Sequence, residues 1–208
     1  ENYIQKTLLN YMFKPIRQNR KSKSILADKF VTENSNFKAG SIVLSNQTVF
    51  FQAISKINQI AGIPNDNEDY RIVTRKNINS FDFILLLLHK NKITDLTIAF
   101  YRIGKKVIQE LKNLKDNKLI TNITLLVNDG FPKLCPDAYN LMKRYESSTF
   151  KIKIENNHTK IICVKTEDNK HYVIEGSGNL SNNSRIEQYS FTQNKRLYDF
   201  HTEWINNI

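Results

Sequence analysis

The chain has 208 residues, 40% hydrophobic and 25% charged, a composition that builds a folded core and excludes disordered or fibrous classes. A formal net charge of +11 favours polyanionic partners, nucleic acid or anionic membrane. The longest apolar run, Phe83 to Leu88, is far too short to span a bilayer, so no transmembrane segment is expected.

ENYIQKTLLN, at the amino end, lacks the basic start and apolar centre of a signal peptide. Two cysteines, Cys135 and Cys163, do not make a disulfide framework, and neither sits in a tight Cys/His cluster of the kind that holds zinc. A cytoplasmic protein without metal or cofactor is the expectation.

In chain order, Tyr3, Ile4, Leu8, Leu9, Met12 and Phe13 recur at helical spacing and predict a short helix up to Pro15. A basic run, RQNRKSK, follows and ends at Lys23. SIVLS reads as a strand; Val49, Phe50, Ala53, Ile57 and Ile60 form a helical stripe that Gly62 stops. Residues 63–70, IPNDNEDY, read as a linker. The chain therefore divides into an N-terminal α+β extension, residues 1–68, and a main domain, residues 69–208.

From Arg71 the pattern alternates. RIVTR is a strand, and Asn79 or Ser80 caps a helix from Phe81 to about Lys90. TDLTIAFY is a strand, and Val107, Ile108, Leu111 and Leu114 mark a helix. NITLLVN is nearly continuous apolar β, as expected of a strand covered on both faces. Pro136 opens a helix through about Tyr145, TFKIKIE is a strand, and a last helix sets Leu197, Phe200, Trp204 and Ile205 on one face. Strands separated by helices predict an α/β fold with a mostly parallel mixed sheet flanked by helices, ending in an antiparallel hairpin.

That hairpin carries the chemistry. His158 to Val164 is β-rich, with His158, Lys160 and Ile162 on one face. Glu167-Asp168-Asn169 has turn chemistry, and Lys170 to Glu175 returns as a strand. A turn centred between Glu167 and Asp168 sets His158 opposite Ser177; one centred at Asp168-Asn169 sets it opposite Asn179. Either register gathers an imidazole, an ammonium, a hydroxyl and an amide beside Gly176 and Gly178, whose backbone admits close approach of a ligand. Lys160, Ser177, Asn179 and the loop N–H groups suit a phosphate oxyanion. His158 has the chemistry to attack phosphorus or move a proton near neutral pH, and Glu187 to hold its other ring nitrogen.

This pattern, HxK at His158/Lys160 and GSxN at Gly176/Ser177/Asn179 followed by Glu187, resembles the phospholipase D superfamily. The resemblance is sharp over the last quarter of the chain and consistent in layout from about residue 70. One departure is evident: the acid usual seven residues after the histidine is Lys165 here, which leaves Glu187 as the better carboxylate. The resemblance implies a phospholipase D-like fold and metal-independent phosphodiester hydrolysis through a phosphohistidine. It also implies a homodimer in which two single-motif chains share one active site.

Basic charge and the missing membrane segment favour nucleic acid, DNA or RNA, as substrate. Arg185, Lys165, Lys170, Arg102, Lys105 and Lys106 are candidate phosphate contacts. Two alternatives stay open: a phospholipase or phosphatidyltransferase acting on lipid phosphodiesters, and a catalytically idle module that keeps the fold for binding nucleic acid or protein.

Overall fold

The computed structural model describes residues 62–75, 79–180 and 186–208. The predicted helices, basic run and strand of the N-terminal extension lie outside the described residues.

A seven-stranded mixed sheet, ordered β1-β7-β6-β5-β2-β3-β4, forms the centre. Its strands are β1 (Asp69–Arg75), β2 (Ile93–Phe100), β3 (Ile120–Asn128), β4 (Phe150–Glu155), β5 (Lys160–Thr166), β6 (His171–Gly176) and β7 (Ile186–Gln193). The helices are α1 (Ser80–Leu88), α2 (Lys105–Asp116), α3 (Phe131–Leu134), α4 (Pro136–Tyr145) and α5 (Lys195–Asn206). This is the α/β layer architecture, sheet flanked by helices, that the alternating pattern predicts.

Within the sheet the antiparallel pairs outnumber the parallel ones. β2–β3 and β3–β4 are parallel, while β1–β7, β7–β6, β6–β5 and β5–β2 are antiparallel. For β5–β6 the reason is connection length: a parallel partner needs a crossover of about a dozen residues, and β5 returns to β6 through a short turn. Parallel pairing is confined to β2, β3 and β4, which α2, α3 and α4 separate.

Side-chain parity assigns each residue to a layer. Ile162, Val164, Ile174, Tyr189 and Phe191 pack with Phe83, Ile84 and Leu87 of α1 and with Ile108, Leu111 and Met142 of α2 and α4. The alternate residues Ile161, Cys163 and Val173 pack beneath Tyr198 and Ile205 of α5. Helix α1 opens with reciprocal capping: Asn79 Oδ1 accepts from Phe81 N at 2.7 Å, and Asp82 Oδ2 accepts from Asn79 N at 2.7 Å. Asn79 is thus the cap and Ser80 the first helical residue.

Helix α5 corrects one predicted face. Its buried side chains are Tyr198, His201 and Ile205, with Leu197 and Trp204 half-buried, while Phe200 is 61% exposed. One helical step of ~100° carries Phe200 off the stripe that His201 occupies.

Candidate functional site

The predicted motif converges at one end of the sheet. Lys160 opens β5 opposite Phe100, the last residue of β2, and β6 ends at Gly176 opposite Tyr189 of β7. The amino end of β5 therefore meets the carboxyl ends of the parallel strands, the usual ligand-binding edge of open α/β sheets.

The hairpin register falls between the two alternatives considered above. Ile161 pairs with Glu175 and Lys165 with His171, which centres the turn on Asp168. Asn169 enters the left-handed region there, at φ 60°. The ladder stops at Ile161, so His158 stands in the loop ahead of β5 rather than opposite Ser177 or Asn179.

His158 is exposed, and Tyr101, just past the end of β2, sets its ring centroid 5.0 Å from the imidazole. Lys160 Nζ lies 3.4 Å from His158 Nδ1 and donates to the His158 carbonyl oxygen at 3.0 Å. Partial burial lowers the pKa of the Lys160 ammonium, and the nearby Glu187 carboxylate opposes that shift. A cation held beside an exposed imidazole makes a site complementary to an oxyanion.

The Gly176–Asn179 loop rests on Tyr189. A Cβ on Gly176 would come within 2.4 Å of Tyr189 Cδ1 and 2.8 Å of Gln188 O, and one on Gly178 within 2.4 Å of the Tyr189 hydroxyl. Both positions need glycine for close approach. Ser80 Oγ donates to Gly178 O at 3.2 Å, which ties the loop to the first turn of α1. Burial pushes the Tyr189 phenol up to about 12, although a hydrogen bond with Ser80 pulls the other way. On the far side the loop is bound to the β2–α2 connection, where Gly104 N donates to Leu180 O at 3.1 Å.

The Ser177 hydroxyl donates to Glu187 Oε2 and accepts from Gln188 N at 3.1 Å. Glu187 is only 6% exposed, and this hydroxyl satisfies one of its oxygens. The sequence suggested that Glu187 could hold the other imidazole nitrogen; in the structure its carboxylate accepts from Ser177 and acts on the Lys160 ammonium. The Asn179 side-chain oxygen is buried and has no hydrogen-bond partner among the described residues.

Lys165 is set apart from this group. It shares parity with Ile161 and Cys163, so it lies on the α5 face, five residues and roughly 17 Å along β5 from Lys160. An acid at that position would lie at the far end of β5 from His158, on the opposite face from Lys160. Lys170 sits in the hairpin turn at that same far end, where it pairs with Asp168. Arg185 lies outside the described residues. Arg102 holds its guanidinium 5.2 Å from the Tyr101 ring centroid, and Lys105 and Lys106 are exposed in the first turn of α2.

Sequence reasoning missed Tyr101, Tyr189, Ser80, Asn157 and Asn128. Tyr189 had a local signal, because a large residue two past Glu187 shares its face. Asn157 adjoins His158 in the sequence, whereas Tyr101, Asn128 and Ser80 meet the motif only through tertiary packing.

No protein-family model matches the chain, and no curated protein does. Solved structures similar to it include a polyphosphate kinase from Porphyromonas gingivalis, at 15% identity and TM-score 0.48, over 65% of this chain and 25% of that one. Yeast tyrosyl-DNA phosphodiesterase is similar at 14% identity and TM-score 0.29, over 48% and 25% of the two chains. Phosphatidylserine synthase from Haemophilus influenzae is similar at 11% identity and TM-score 0.36, over 67% and 38%. This chain thus spans a quarter to under two-fifths of the length of those proteins.

Proposed function

We propose that the chain is a phosphodiesterase that hydrolyses nucleic acid through a covalent phosphohistidine on His158. The observation that carries this reading is the exposed His158 imidazole with the Lys160 ammonium 3.4 Å from its Nδ1, at the edge where Ser177, Asn179 and Glu187 also gather. Supporting it are the HxK and GSxN motifs and the net charge of +11.

In the reaction, an imidazole nitrogen of His158 bonds to phosphorus as the bond from phosphorus to the leaving oxygen breaks. His158 of a second protomer, related by a two-fold axis, gives its proton to that oxygen. The same group then takes a proton from water, whose oxygen attacks phosphorus and releases His158. Lys160, the Ser177 hydroxyl and the Asn179 amide of both chains hold the non-bridging oxygens. With two lysines per site the developing charge is neutralised without a metal ion.

The test is cleavage of single-stranded DNA, double-stranded DNA and RNA in EDTA, by wild type and His158→Ala. Cleavage by wild type that the variant loses is the expected result. Full activity in a folded His158→Ala protein sinks the mechanism. Turnover of phospholipid vesicles with no cleavage of nucleic acid moves the substrate to lipid, and no turnover of either leaves a binding module.

A further inference from the structure

The loop that carries His158 is pulled tight across the sheet. β4 and β5 are consecutive in sequence, yet β3 and β2 lie between them. Three strand spacings of about 4.8 Å separate them, roughly 14 Å in all. The five peptide steps from Glu155 to Lys160 reach at most about 17 Å. Little slack remains, and the path runs over the carboxyl ends of β3 and β2.

Each of those ends holds the loop as it passes. Asn128, the last residue of β3, donates from Nδ2 to Asn157 O at 3.1 Å, while its Oδ1 accepts from Gly130 N at 2.8 Å. Asp129 N donates to Glu155 O at 3.0 Å. Past the end of β2, Tyr101 lies against the imidazole itself.

Asn157 then closes a turn around the histidine. Its Oδ1 accepts from Thr159 N at 2.9 Å and from Thr159 Oγ1 at 2.6 Å. The His158 carbonyl accepts from Lys160 Nζ. The carbonyl before His158, its own carbonyl and the N–H after it are therefore all bonded within the protein. Asn157 is 5% and Asn128 7% exposed, whereas the imidazole between them is exposed. A side chain that merely shaped a surface turn would sit in water. These two amides are buried, while the His158 ring that follows Asn157 is exposed.

We propose that Asn157, anchored by Asn128, is a positioning residue that holds the His158 imidazole in its reactive orientation. The inference rests on the phosphodiesterase reading above for its kinetic consequence, and on the loop geometry alone for its structural one. Asn157→Ala removes the acceptor for both Thr159 groups; Thr159→Val removes one of them at nearly constant shape; Thr159→Ser restores it.

The experiment uses the full chain and two readouts. The first is hydrolysis of bis(p-nitrophenyl) phosphate: kcat falls at least tenfold in Asn157→Ala and several-fold in Thr159→Val, KM stays within twofold, and Thr159→Ser behaves as wild type. The second needs no turnover: the imidazole nitrogen resonances of His158 change tautomer balance or broaden in Asn157→Ala and Thr159→Val. Those of His89, His171 and His201 stay in place. Unchanged kcat and unchanged His158 resonances in folded variants overturn the proposal, as does a rise in KM alone. Should Asn157→Ala fail to fold, Thr159→Val decides. Should wild type hydrolyse no diester, the phosphodiesterase reading fails while the resonances still decide the positioning.

Discussion

Lys160 Nζ sits 3.4 Å from His158 Nδ1 and is anchored to the carbonyl oxygen of that same residue at 3.0 Å. A flexible ammonium is thereby fixed to the backbone beside the imidazole. Lys160→Met removes the charge and the anchor and is expected to lower kcat about 10²-fold, the ~3 kcal/mol typical of one oxyanion donor. Lys160→Arg is expected to recover little, because a planar fork does not reproduce a point charge held at one carbonyl. Steady-state rates on a phosphodiester, with melting temperature as a control, test both.

Ser177 and Glu187 form a second pair whose effects are coupled. Ser177→Ala leaves a buried carboxylate short of one donor, and losing a hydrogen bond to a charged group costs about 1.5–3 kcal/mol. Glu187→Gln keeps the shape and drops the charge. The double variant is expected to be more stable than the sum of the two losses predicts, and a urea-denaturation cycle reads this directly. Additive losses contradict the pairing.

Gly178 is hemmed in by the Tyr189 hydroxyl, so Gly178→Ala must move the ring or the loop. A loss of about 1–3 kcal/mol is expected, as for other overpacked sites. Tyr189→Phe removes the atom that clashes and is expected to return part of the loss when combined with Gly178→Ala. Equal destabilisation with and without the hydroxyl would count against this account.

Asp82 gives a pH signature. Burial raises its carboxyl from the ordinary 3.8 to about 6, against the backbone hydrogen bond from Asn79. The folded state thus binds the proton more tightly than the unfolded state. This contribution is fully present below about pH 4 and is lost as pH rises towards 6. At 1.36 kcal/mol per pKa unit it amounts to at most about 3 kcal/mol. Asp82→Asn keeps an oxygen for Asn79 N and is expected to flatten the stability profile between pH 4 and 6. Denaturant midpoints measured across that range, unchanged between variant and wild type, refute it.

Much of this was legible in the sequence because strand and helix periods are local. Alternation alone puts Lys160 with Ile162 on one face of β5 and Lys165 with Cys163 on the other. HxK and GSxN lie at hairpin spacing, so their meeting needs only one turn. The exact centre of that turn was not legible, because Glu167, Asp168 and Asn169 all favour turns. Only the pairing of Ile161 with Glu175 selects Asp168.

What the sequence determined by itself was the alternating α/β pattern and the candidate group, His158 with Lys160, that the motif singles out. What only the tertiary structure decided was who surrounds that group. Tyr101 beside the imidazole, Asn128 beneath Asn157 and Ser80 on Gly178 come from segments far apart in the chain. Their meeting depends on β2 and β3 lying between β4 and β5 and on α1 packing over β6 and β7. Strand order is set by the burial of whole faces at once, a collective free energy that no local window of residues records.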